Sequence, residues 1–117
     1  MSCADLIGHL FLARDVTHSV HLNTRSYAKH KALGKFYPAV IDLADTLAEA
    51  YQGRYGLIGP ITLHSAEKTN NVVEFLEDSL KKVQKEREEY DDTALQNIID
   101  EIEGLYLSTL YKLKFLA

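Results

Sequence analysis

Apolar residues recur every third or fourth position through almost the whole chain, and this periodicity limits the fold more than any other feature. Leu6, Leu10, Ala13, Thr17 and Val20 form one stripe in a segment from about Ala4 to Leu22, with Ile7 and Phe11 beside it. Ala32, Leu33, Phe36, Val40, Leu43, Leu47 and Ala50 form a second between about Ser26 and Gln52. Val72, Phe75, Leu76, Leu80 and Val83 follow in a third, and Leu95, Ile98, Ile99, Ile102, Leu105, Thr109, Leu113 and Leu116 in a fourth. No alternating strand pattern competes. Such stripes must be buried against one another, which predicts an all-α four-helix bundle in one domain over residues 1–117.

The punctuation sets the connections. Asn23 to Ser26 makes a short link. Pro38 falls inside the second pattern and predicts a kinked but continuous helix. Ser65 is placed to cap the third helix with Glu67 in its first turn, and Thr93 with Gln96 reads as a capping box for the fourth. The main break is Gly53 to His64, with Gly53, Gly56, Gly59 and Pro60. Extended, such a stretch reaches about 40 Å, and a helix of about 26 residues is about 39 Å long. This segment is therefore expected to cross the bundle from end to end, leaving helices two and three parallel.

Charge and composition exclude several function classes. The net charge of −4 and the lack of a basic stripe argue against nucleic-acid binding. No apolar run reaches the roughly 20 residues of a membrane span, and no signal peptide is read at the start. The lone Cys3 fits a reducing cytoplasm and reads as a spectator at a frayed terminus. There is no glycine-rich phosphate loop, nucleophile elbow or H-E-x-x-H. The run KKVQKEREEYDD reads as a solvated face, whereas Tyr106, Tyr111 and Phe115 add aromatic area off the fourth stripe and suggest a subunit contact.

Chemistry concentrates between His18 and Glu49. His18 and His21 are three residues apart, and His30 follows a short link. Asp42, Asp45 and Glu49 lie on one helix face. Imidazole and carboxylate together suit iron, zinc or manganese. The competing readings are ordinary. Three acids on a helix are commonly solvated, Glu49 could pair with Arg54, and His18 and His21 sit where a helix dipole favours cations. His9 and His64 read as non-ligands, and Tyr27, Tyr37, Tyr51 and Tyr55 as core edges or interface residues.

The runs His21-Leu22-Asn23-Thr24-Arg25, Tyr27-Ala28-Lys29-His30 and Asp45-Thr46-Leu47-Ala48-Glu49, with the terminal Tyr111-Lys112-Leu113-Lys114-Phe115-Leu116, resemble the mini-ferritin (Dps) family. The likeness covers helices one, two and four. It implies a ferritin-like bundle and a ferroxidase acting on iron, with another divalent metal as a variant. His21 and His30 of one subunit would meet Asp45 and Glu49 of a neighbour across a two-fold axis. His18 is the alternative first histidine, and Asp42 a supporting or replacement ligand. The partner implied is further copies of the chain in a dimer or larger shell, in a cytoplasm that is the host's if the gene is viral. The chain departs from the family in its short loop before His30, in Gly34 where an acid is common, and in lacking a basic N-terminal tail. A reduced, phage-encoded member without DNA binding fits those departures. The alternative is a metal-free scaffold or interaction module.

Overall fold

A computed structural model describes residues 2–65 and 69–117. It contains four helices: α1 (Cys3–Asn23), α2 (Tyr27–Tyr55), α3 (Val72–Arg87) and α4 (Thr93–Phe115). No strand occurs among the described residues.

Each helix begins at a side chain that accepts an otherwise unpaired amide hydrogen. Ser2 and Asp5 form a capping box at α1, and Ser26 accepts from the Lys29 amide at α2. Asn71 caps α3 and Asp92 caps α4. The last two correct the sequence reading. Ser65 is exposed and lies outside the helix, which starts only at Val72, while Glu67 lies outside the described residues. At α4 Asp92 accepts from the Leu95 amide, and Gln96 instead donates to the Tyr90 carbonyl. The carboxylate at the cap also holds Arg54, so Arg54 pairs with Asp92 and not with Glu49 as in the competing reading of that acid.

α1 and α4 each pack on both α2 and α3. The first turn of α1 lies at the α3–α4 connection, where Cys3 meets Tyr90. Arg54 near the end of α2 reaches the start of α4. At the opposite end Lys114 of α4 pairs with Glu77 of α3. Every neighbouring pair is therefore antiparallel, and α2 and α3 run parallel across the diagonal. The link between α2 and α3, described over residues 56–65 and 69–71, is the end-to-end crossing that this requires. Helix α2 runs on through Gly53 to Tyr55 and passes Pro38 unbroken. Gly56 and Gly59 adopt φ of 97° and 79°, which is left-handed backbone that side chains disfavour. The crossing lies against α1 at Gly8, where a Cβ would meet the Thr62 carbonyl oxygen.

The interior is built from Leu6, Leu10, Leu33, Phe36, Leu47, Leu76, Ile99 and Ile102. Each such side chain contributes about 1.5–3 kcal/mol on burial. Tyr106 belongs here too. It is fully buried and meets Phe36 edge-to-face at 5.1 Å, which corrects its assignment to the outer aromatic surplus. Tyr111 and Phe115 do remain exposed. Two further expectations fail at the opposite end. Cys3 is buried within the first turn rather than fraying, and the charge run contributes buried Glu86 and Tyr90, whose hydroxyl donates to the Glu86 carboxylate.

Candidate functional site: a histidine clasp and an acidic face

Helix α1 ends and α2 begins with their histidines interlocked. His21 Nδ1 donates to the His30 carbonyl at 2.6 Å, and His30 Nδ1 donates to the His21 carbonyl at 2.9 Å. A carbonyl only accepts, so both rings carry a proton on Nδ1, and the tautomer this selects has its lone pair on Nε2. The His21 carbonyl is among the last of α1, where no helical amide is left to bond it, so His30 also caps that helix. The rings stack with centroids 3.9 Å apart and planes 16° from parallel.

Gly34 makes this clasp fit. A Cβ there would stand 2.8 Å from His21 Cε1, inside contact distance. The small residue where the resemblance has an acid is thus the seat of a histidine ring. His18 stacks on Tyr37 at 4.0 Å, nearly parallel, and lies 6.3 Å from His21. The Arg14 guanidinium lies 5.8 Å from the Tyr37 ring centre. The groove between α1 and α2 therefore carries a continuous column of aromatic and imidazole rings.

Asp42, Asp45 and Glu49 are all exposed on the outer side of α2. No ion pair or side-chain hydrogen bond engages their carboxylates among the described residues. Asp45 borders an open groove with Phe11, Arg14, Asp15, Ile41 and His64. Fifteen residues separate His30 from Asp45, about 22 Å along a helix. Within one chain the histidines and acids do not meet. Among the described residues no group of three or more His, Cys, Asp or Glu side chains is placed to hold a metal ion.

The interior offers different polar groups. His9 is buried, and its Nε2 lies 2.8 Å from Ser79 Oγ, which in turn lies 2.7 Å from the Tyr106 hydroxyl. This chain of hydrogen bonds ties α1, α3 and α4 together. Burial, helped by the positive charge of Lys82, holds the His9 imidazole well below its ordinary range, at about 4. Burial pushes Glu86 upward, against the hydrogen bond from Tyr90. The sequence reading missed both groups. The signal for His9 was its place between Leu6, Leu10 and Ala13 on the buried side of α1; Glu86 shares the stripe of Leu76, Leu80 and Val83.

The DUF5856 model, described as a family of unknown function, matches residues 21–113, from the first histidine of the clasp into the last turns of α4. The chain belongs to this family. An "uncharacterized 14.6 kDa protein in mobD-ri intergenic region" of Enterobacteria phage T4 is 30% identical over 113 residues, which cover 93% of this chain and 85% of the phage protein. No solved structure matches the chain.

Proposed function

We propose that this DUF5856 member is a ferritin-like homo-oligomer that takes up Fe(II) and oxidises it where two copies meet. His21 and His30, with His18 beside them, would come from one copy. Asp45 and Glu49, flanked by Asp42, would come from the other. The observation that carries this reading is the orientation of the clasp, in which both Nδ1–H groups are bonded to main-chain carbonyls and both Nε2 lone pairs are left for a cation. A backbone partner on the far ring nitrogen is what fixes a ligating imidazole. The bundle with its single end-to-end crossing supports the ferritin-like part of the reading.

The stacking shapes the chemistry. Lone pairs lie in the ring planes, and two nearly parallel planes 3.9 Å apart do not converge on one ion. Each imidazole would serve its own Fe(II). Two such ions suit peroxide as oxidant: each loses one electron, the O–O bond breaks, and two hydroxides form. The carboxylates offset the charge gained by the metal. Purified protein should accelerate Fe(II) oxidation by peroxide, followed as ferric absorbance, and His30→Ala with Asp45→Ala should abolish the acceleration. A wild-type rate equal to that of protein-free iron would end this reading.

A second reading is a metal-free scaffold. It is favoured by the clasp's evident structural use, since the two histidines join α1 to α2 through main-chain hydrogen bonds and a ring stack, and by the lack of a metal-holding group within the described residues of one chain. Native mass spectrometry of protein grown in iron-rich medium separates the two: bound iron supports the first reading, and a metal-free assembly supports the second.

A further inference from the structure

The outer face of α2 carries a charge pattern that is its own complement. Lys31, Lys35, Pro38, Asp42, Asp45 and Glu49 recur at spacings of four and three residues, and all are exposed. That spacing keeps them in one stripe along the helix. The N-terminal half of the stripe is basic and the C-terminal half acidic. None of its five charged residues takes part in an ion pair among the described residues. One turn before Lys31 the stripe continues to Tyr27, which is 74% exposed.

We infer that this face docks on the same face of a second copy of the chain, antiparallel, about a two-fold axis level with Val40. That axis sets Lys31 opposite Glu49 of the second copy and Lys35 opposite its Asp45, and each pair occurs twice by symmetry. Pro38 lies at the crossing, where its short ring allows close approach. Tyr27, one turn before Lys31 on the same stripe, adds exposed apolar area at both ends of the pairing. A parallel arrangement would place lysine on lysine and acid on acid. Exposed ion pairs are individually weak, so they set direction and register, while Tyr27 and the apolar stems of the lysines add buried area. The lysines provide the positive charge opposite the acids, so the dimer stands without metal. The pairing also brings His30 level with Glu49 of the second copy. The inference thus goes beyond the iron reading without resting on it.

The test uses the whole chain in the presence of a chelator. By sedimentation velocity, wild type should run as a dimer or an assembly of dimers, and less so as salt rises. Lys31→Glu/Lys35→Glu makes the stripe wholly acidic, and Asp45→Lys/Glu49→Lys makes it mostly basic. Each variant alone should fall at least two-fold in mass while keeping its helical circular dichroism. Mixed in equal amounts they should recover the dimer, seen as the hetero-pair by native mass spectrometry. A monomeric wild type, a wholly acidic variant that stays paired, or folded variants that do not combine would each overturn the inference. The iron reading is scored separately. Iron oxidation that survives in monomeric Lys31→Glu/Lys35→Glu sinks the proposed pairing as the site of oxidation; a charge-sensitive dimer without iron oxidation sinks the iron reading alone.

Discussion

Gly34 shows how one missing methyl group can hold a site together. Alanine is the better helix former by about 1 kcal/mol, so Gly34→Ala would stabilise an isolated α2. In the folded chain the new Cβ presses on the His21 ring, which its hydrogen bond to the His30 carbonyl and its stack on the His30 ring hold in place. Overpacking of this kind costs about 1–3 kcal/mol. Gly34→Ala is therefore expected to lower the urea midpoint in the wild-type background and raise it in His21→Ala. Effects of one sign in both backgrounds would refute the seat assigned to Gly34. Ser79 is a second such residue. It is the shared partner of His9 and Tyr106, so Ser79→Ala strands two buried groups while Tyr106→Phe removes only the end of the chain. A buried group left unpaired costs about 1–3 kcal/mol, and Ser79→Ala should accordingly destabilise more than Tyr106→Phe in denaturant titrations.

Among the elements, the buried titratable groups of α1 and α3 act in opposite directions. His9 in the folded chain binds its proton only near pH 4, against an ordinary 6.5. Between those values the unfolded chain takes up a proton that the folded chain does not. The stabilisation tied to neutral His9 is therefore complete above pH 6.5 and is lost as pH falls towards 4. Glu86 is raised from 4.5, so the folded chain keeps a proton that the unfolded chain has released, and stability falls as pH rises above 4.5. Acidifying from pH 6.5 to 4.5 sets these slopes against each other. Glu86→Gln should make the urea midpoint fall more steeply over that range than in wild type, and His9→Gln should make it fall less steeply. Parallel profiles for all three proteins would show that neither group carries the linkage. The crossing is likewise tied to α1 at one point. Gly8→Ala would drive a Cβ into the Thr62 main chain, which cannot rotate away as a side chain can. Its expected effect is faster amide exchange and proteolysis confined to the segment around Thr62.

For the molecule as a whole, chemistry and assembly share α2. The ring column occupies the α1–α2 groove towards the start of the helix, and the acids occupy its second half on the outer face. Their separation within one chain makes any joint action a property of paired copies. Cys3 gives a check on the monomer itself. Its thiol is buried against Tyr90, and burial pushes its pKa up. A thiol in that state is a poor nucleophile. Alkylation should be slow in the native protein and should become fast only when the chain unfolds, which mass spectrometry of timed alkylation would show.

Local periodicity determined most of the architecture. Leu6, Leu10, Phe36, Leu47, Ile99 and Ile102 are buried because a helix repeats every 3.6 residues and each stripe had to be covered. The glycine-containing break likewise marked the crossing between α2 and α3, although α2 runs on to Tyr55 and α3 starts only at Val72, so the link is offset from the expected Gly53 to His64. Ser26 and Asp5 act in caps that depend only on neighbours in sequence. Other features depended on contacts between distant residues. Asn71 and Asp92 took the caps expected of Ser65 and Thr93 because tertiary packing decides which of several polar residues a chain turns at. Tyr106 went inside because Ser79 stands ready to bond its hydroxyl, and Gly34 is small because His21 lies on it. Spacing along a helix marks which side chains share a face. That spacing alone put His30 and Asp45 about four helical turns apart on α2, whereas only the packing of helix on helix could stack His18 on Tyr37 and His21 on His30.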